Sequence, residues 1–262
     1  MTRGIVAAHA AGVLSSTSML ANMPGFGDAV RAARRIAGDR SLGVGLHLNL
    51  VQGPPLSYVP SLTDARTGRF HSLASLVVRA LTGRVDPDDV RAECVAQIGA
   101  LRSAGIAITH LDSHMHVHAL PHVWRPVAEI ARETGIRAVR WPAESLRVGP
   151  LSPARLCVKT VVASSWWIAR RRAPVMASPD HFIGMTLQGG KHLEPRLLKL
   201  LDALRPGVTE LMLHPGYVDA DLEAIDSYTW QRERELAALM SPAVKQRLRR
   251  GDIELVHFGA LC

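Results

Sequence analysis

Five ionisable residues alternate with apolar or small ones in a single run, His110-Leu111-Asp112-Ser113-His114-Met115-His116-Val117-His118. On an extended backbone successive side chains point to opposite faces, so these imidazoles and the carboxylate would all share one side. Neutral imidazole binds divalent transition metals, and a carboxylate beside it serves as ligand, base or orienting partner. Such a row does not suit an apolar core, and it reads as a metal or catalytic site. One strand cannot wrap all of these groups around one ion, so one or two would bind metal while the others orient ligands or contact substrate. Two more histidines stand at strand ends: His47 in the apolar stretch Gly45-Leu46-His47-Leu48-Asn49-Leu50, and His214 ahead of Pro215-Gly216. The Pro-Gly turn fixes the backbone and aims the His214 ring, a geometry suited to a general acid or base.

These groups need elements to carry them. Short apolar or β-branched runs predict strands at Val13–Leu20, Leu42–Leu48, Ile106–Asp112, Ala138–Trp141, His181–Gly184, Glu210–His214 and Ile253–Phe258. Helical patterns fall between them at Gly27–Ile36, Pro87–Ser103, Val123–Thr134, Pro153–Arg172, Pro195–Ala203 and Thr229–Ala238. Strand, helix and strand in succession imply parallel pairing with right-handed crossovers, hence a barrel or a doubly wound sheet. Both architectures gather reactive groups at the carboxyl ends of the strands, which is where His47, the His110–His118 run and His214 fall.

The chain has 262 residues, 47% hydrophobic and 21% charged, a composition that supports a sizeable buried core and excludes a disordered tail, a fibre or a disulfide mini-protein. Its formal charge of +8 is spread along the sequence rather than gathered in one tract, and all but Lys159, Lys191, Lys199 and Lys245 of its basic residues are arginines. A nucleic-acid partner is therefore not expected. The dense run Arg170-Arg171-Arg172 follows the apolar Val161–Ala169 stretch with Trp166 and Trp167, which reads as an amphipathic helix with a solvated end or as a weak contact with a membrane surface. No stretch is long and apolar enough to span a bilayer, and no secretory leader is visible, so a cytoplasmic location is expected. Cys94, Cys157 and Cys262 are widely spaced, without a CxxC pair, and fit buried or incidental thiols in a reducing compartment.

The chain resembles the YdjC/ChbG-like carbohydrate deacetylases, a group that includes the hopanoid-associated sugar deacetylases. The resemblance rests on Gly4-Ile5, Ala8-His9 and Gly12-Val13-Leu14-Ser15-Ser16-Thr17-Ser18, on Gly45-Leu46-His47-Leu48-Asn49-Leu50 with Gly53-Pro54-Pro55-Leu56, on Thr109 through His118 with Pro121, and on His214-Pro215-Gly216-Tyr217 with Ser227-Tyr228 and Arg234-Glu235-Leu236. It implies one domain over residues 1–262, an α/β fold of the deformed (β/α) barrel type, and a hydrolase that cleaves the amide C–N bond of an N-acetylated amino sugar, either a chito-oligosaccharide or a GlcNAc-bearing glycolipid. It also implies a divalent cofactor, Mg²⁺ or Zn²⁺, held by His47 and His114. His214 and Asp112 are the candidate catalytic groups; His116, His118, Tyr217 and Trp141 are candidate substrate contacts.

The chain departs from the family at one place. The Asp-Asp-Phe-Gly segment of the family's first strand, which supplies a metal ligand and a general base, has no counterpart, and Met1–Ile5 aligns with the helix that follows that strand. The resemblance then implies an incomplete barrel, an exposed sheet edge that would encourage pairing into a homodimer, and a weak two-histidine metal site in which Asp112 partly substitutes. Two other readings stay open from the residues: a metal-dependent hydrolase of another bond, and a non-catalytic sugar-binding relative.

Overall fold

In a computed structural model the chain is described over residues 1–36, 42–144 and 176–262. The expected helix at Pro153–Arg172, with its tryptophans and arginine run, and Cys157 lie outside the described residues. Parallel strands β1 (Ser16–Met19), β2 (Gly43–Leu48), β5 (Ile108–Ser113) and β6 (Ala138–Val139) lie side by side in the order β1-β2-β5-β6. A parallel bridge from Ala138 to Ala177 continues the arc, and β7 (His181–Ile183) pairs in parallel with β8 (Thr209–Leu211). Between β2 and β5 sits a small antiparallel hairpin, β3 (Thr63–Asp64) with β4 (Arg69–Phe70). Among the described residues no strand pairs with the outer edge of β1 or of β8, so the arc is an open, barrel-like curve. The alternating βα order is therefore as the sequence predicts.

The helices form where the local chemistry stops and starts them. Helix α4 (Pro87–Ser103) begins behind Asp86, whose side chain accepts the Asp88 N–H at 2.9 Å, with Pro87 in its first turn. It stops before Gly105, whose φ of +76° is a left-handed position that a side chain would strain. With α5 (Trp124–Glu133) it covers the sheet, burying Leu101, Ile98 and Val127 against Leu46, Leu48 and Leu111. A fully buried leucine contributes roughly 1.5–3 kcal/mol. A second cluster joins α1 (Thr2–Ala10) through Ala8 to α6 (Leu193–Asp202), α8 (Trp230–Leu239) and α9 (Pro242–Leu248). Helices α2 (Phe26–Arg35), α3 (Leu73–Leu81) and α7 (Ala220–Ile225) complete the described set, in which none is long and apolar enough to cross a membrane. The free thiol of Cys94 is buried in α4, where burial and the nearby Glu93 push it up to about 12, so it is inert.

Two buried side chains of α4 clamp the loop that leaves β2. Gln97 exchanges hydrogen bonds with the backbone of Asn49 at 3.0 and 2.7 Å, and Glu93 accepts the N–H groups of Leu56 and Ser57. The strand end that carries His47 is thus held from below.

Two expectations are corrected here. The Ile253–Phe258 segment is not a strand: it is tied to β1 by single bonds, from the Ser15 hydroxyl to the Val256 carbonyl and from the Phe258 N–H to the Ser16 hydroxyl, while Phe258 starts a short 3₁₀ turn. The two-residue alternation of the histidine run also ends early. β5 stops at Ser113, and His114–Ala119 forms a 3₁₀ turn with left-handed Met115 (φ 54°) and His116 (φ 57°). The turn forms because the Ser113 hydroxyl accepts the His118 N–H at 3.0 Å and pairs with His118 Nδ1 at 2.5 Å.

The run is therefore sorted into different jobs. His110 is a core residue: its ring stacks on Phe258 at 4.1 Å, and Gly45 leaves the space on its other side, since a Cβ there would stand 2.5 Å from the imidazole. His118 is wholly buried, and its Nε2 pairs with the Arg140 carbonyl at 3.1 Å, so it latches the turn to β6 rather than meeting a sugar as the sequence suggested.

We expect Gly45→Ala to cost about 1–3 kcal/mol, because the His110 ring has no room to withdraw; chemical denaturation reads this, and a wild-type midpoint would show that the ring is not sandwiched. A second expectation concerns acid. Burial pulls both His110 and His118 down to about 4, against an ordinary value of 6.5. Below 6.5 the unfolded chain takes up protons that the folded one refuses, so stability present above that pH is lost as pH falls toward 4. The loss is up to about 1.4 kcal/mol per pH unit for each ring. Urea midpoints that stay flat between pH 7.5 and 5 would contradict it.

Candidate functional site

Adjacent parallel strands place their side chains in register, and β2 pairs with β5 so that His47 stands opposite Asp112. His47 Nδ1 lies 2.8 Å from Asp112 Oδ1. Ser18, on β1, donates to Asp112 Oδ2 at 3.1 Å and sits 3.1 Å from the same His47 nitrogen. From the end of β6, Arg140 Nη1 reaches Asp112 Oδ2 at 2.5 Å while its Nε reaches Glu210 Oε1, on β8, at 2.6 Å. Five strands thus converge on one buried ionic chain.

Its electrostatics follow from burial against pairing. Burial alone would push the Asp112 carboxyl up, but the Arg140 guanidinium and then His47 hold it well below the usual carboxylate range. Burial opposes the charge on Arg140, and its two carboxylate partners raise it above its ordinary value. Glu210 is shifted upward, by burial first, and its second oxygen has no hydrogen-bond partner among the described residues. Asp112 is wholly inaccessible and both its oxygens are engaged, which corrects its expected catalytic role and its expected use as a substitute ligand: it orients His47.

Whether a divalent ion fits can be tested on the donors. Because Asp112 engages Nδ1 of His47, the other ring nitrogen is left for a ligand, on a side chain that is 19% exposed. The His114 ring centroid is 5.8 Å from that of His47, at 64°. With metal–nitrogen bonds of about 2.0–2.1 Å this spacing lets both rings touch one ion. Burial, then the charge of His47, pulls His114 down to about 4, so its ring is neutral and able to ligate at physiological pH. The donors fit two corners of a metal site. Among the described residues no group of three His, Cys, Asp or Glu side chains could hold an ion.

The other candidates lie around this pair. His214 follows β8, and burial followed by the charges of Arg232, Arg140 and His47 pulls its ring down to about 3, partly offset by Asp226. Its backbone N–H donates to Glu235, its Nδ1 lies 4.0 Å from the same carboxylate, and its ring meets Tyr228 edge-on at 5.7 Å. His116 stands edge-on to Phe182 at 5.8 Å, with Nδ1 buried and unpartnered among the described residues. Tyr217 is 43% exposed beyond the His214-Pro215-Gly216 turn, and Trp141 packs half-buried against the sheet core. A surface cavity of about 480 Å³ opens between the start of α6 and α8, beside Lys191, His192, Glu194 and Arg234. It shares no residue with the strand-end cluster, and convergent polar groups locate chemistry better than volume does.

Sequence reasoning passed over Ser18, Arg140, Glu210 and Glu235. Arg140 and Glu210 carry a usable signal, a lone charge in an otherwise apolar strand tip. Glu235 stands in the Arg234-Glu235-Leu236 motif, but an acid in a helix does not by itself announce a role.

The comparisons with known proteins agree with this geometry. The family model described as YdjC-like protein matches residues 1–250. The chain is 34% identical over 261 residues to a carbohydrate deacetylase of Brevibacillus brevis, covering 98% of this chain and 92% of that one. It is 32% identical over 257 residues to a carbohydrate deacetylase of Geobacillus stearothermophilus, covering 97% and 89%. A crystal structure from Enterococcus faecalis, of a protein assigned to cellobiose-phosphate cleavage, superimposes with a TM-score of 0.78 at 26% identity, covering 100% of this chain and 93% of that one. That likeness makes the open arc a deformed barrel. With the strand-end histidines, the register that sets His47 against Asp112 and the family match all running through the same stretch, the chain belongs to the YdjC-like protein family.

Proposed function

We propose that the chain is a metal-dependent carbohydrate deacetylase that removes the acetyl group from an N-acetylated amino sugar, on a chito-oligosaccharide or a GlcNAc-bearing glycolipid. The observation that carries this reading is the His47 and His114 pair at adjoining strand ends, with a buried carboxylate behind one ring and a neutral His214 nearby, in a chain whose curated relatives are carbohydrate deacetylases.

An acetamide is a poor electrophile, and its amine cannot leave as an anion. An ion held by His47 and His114 would supply Lewis acidity to the acetyl carbonyl and to the attacking water. His214 then handles the proton. Being neutral at pH 7, it first accepts a proton from water as the oxygen adds to the carbonyl carbon, then delivers that proton to the nitrogen as the C–N bond breaks. Acetate and a free amino sugar result. Asp112, kept ionised by Arg140, holds the His47 ring in place throughout. Tyr217, exposed beside this turn, is a sugar-ring platform.

A second reading, sugar binding without turnover, is favoured by one observation: the described residues offer two metal donors and no third.

The test is release of acetate from a panel of chito-oligosaccharides and GlcNAc-lipids with Mg²⁺ or Zn²⁺ added. Acetate is expected, removal of the ion by a chelator should abolish it, and a phosphate readout on the same panel should stay silent. Sugar binding without acetate would establish the second reading, and neither binding nor acetate would end both. His114→Ala should reduce the rate at least about 10²-fold, in line with losing the Lewis acid. The same change should weaken Zn²⁺ binding in calorimetry while thermal melting moves by only a few degrees; unchanged affinity would remove His114 from the metal site.

A further inference from the structure

Glu235 lies outside every group discussed for the metal, yet it is 1% exposed and has unusual company. One oxygen takes the His214 N–H and the other takes the Tyr228 hydroxyl, whose own oxygen accepts the Gly189 N–H at 2.6 Å. The carboxylate thereby ties together the end of β8, the loop before α6 and the start of α8. Nδ1 of His214 is buried, has no hydrogen-bond partner among the described residues and is 4.0 Å from Glu235 Oε2. A small tightening of that separation, of the kind substrate binding produces, makes it a hydrogen bond.

Resting on the deacetylase reading, we infer that Glu235 is the positioning residue for His214: it fixes the His-Pro-Gly turn, holds the Nδ1–H form of the ring so that the other nitrogen carries the proton from water to the leaving amine, and provides the counter-charge to the imidazolium formed between those two steps. The need for such a partner is physical. The strongest charges acting on the ring are the cations Arg232, Arg140 and His47 and the acid Asp226, which is itself paired with Arg232. A proton placed on His214 therefore meets buried positive charge unless Glu235 answers it. The carboxylate must also be an acceptor at both oxygens. Gln fills the same volume but turns one acceptor into a donor facing either the His214 N–H or the Tyr228 hydroxyl.

The experiment compares wild type with Glu235→Gln, Glu235→Asp and Tyr228→Phe in the metal-supplemented full chain. Three readouts are taken: steady-state acetate release, thermal melting, and ring ¹⁵N NMR of His214, assigned by its loss in His214→Asn. Glu235→Gln should lower kcat about 10²-fold, the lower end for a proton-transfer group, with KM within about threefold. It should also move the His214 ring from the Nδ1–H toward the Nε2–H tautomer. Glu235→Asp, which keeps the charge, should retain more activity than Gln. Tyr228→Phe is the guard against misfolding: it leaves one Glu235 oxygen without its donor and should lower kcat about fivefold to tenfold in a folded protein. Wild-type kcat in Glu235→Gln, a rise in KM alone, or an unshifted His214 tautomer would overturn the inference. If the wild type releases no acetate the deacetylase reading fails, while the tautomer of His214 still decides the role of Glu235.

Discussion

One guanidinium holds the site together. Arg140 emerges from the end of β6 between Asp112 on β5 and Glu210 on β8, and bonds to both in a largely buried position. Burying three charges costs desolvation energy that their mutual attraction offsets only with good geometry, and here each ion has a directed partner. Taking the arginine away would leave two buried carboxylates, one of them in contact with His47, and the loss of one member of such a set typically costs about 3–5 kcal/mol. Everything the site needs from Asp112, an ionised oxygen behind the His47 ring, depends on that cation.

The histidines show why residue type alone underdetermines role. His110 fills a slot between Gly45 and Phe258, His118 closes a turn, His47 and His114 meet edge to face, and His214 lies on the turn after β8. What they share is burial strong enough to keep His110, His114, His118 and His214 uncharged. That is the form in which an imidazole can pack, accept a proton or bind a metal, so one electrostatic condition serves all these uses. The same condition makes the fold sensitive to acid.

The βα order, the strand ends and the histidines at them were legible in the sequence because hydrophobic periodicity and the strand-end rule are local signals. The expected two-residue alternation across His110–His118 failed after Ser113, where a hydroxyl bonding back to His118 outweighed the extended preference of the backbone. Ile253–Phe258 misled in a similar way: its apolar residues suited a strand, but Phe258 stacks on His110 and starts a 3₁₀ turn. Arg140 and Glu210 showed only as lone charges in apolar stretches and Glu235 only as part of a motif, none with a role, for a different reason. Their meaning lies in partners 28, 70 and 21 residues away, and spacing within a motif cannot report that.

Asp112 and Glu235 complete the argument by contrast. Both are buried carboxylates beside an imidazole, but Asp112 has a guanidinium against it and stays strongly ionised, whereas Glu235 is shifted upward by burial, with hydrogen bonds from Tyr228 and His214 only partly opposing the shift. A carboxylate already neutralised by arginine has little field left for a new cation, so it suits a ring whose charge does not change, as a metal ligand requires. A carboxylate whose hydrogen-bond partners are neutral donors, with Arg232 acting on it only from a distance, keeps more of its field for a charge that comes and goes. In the proposed reaction the two acids would therefore match the two histidines they face, a ligand at His47 and a proton carrier at His214, with the division of labour following from where the arginine sits.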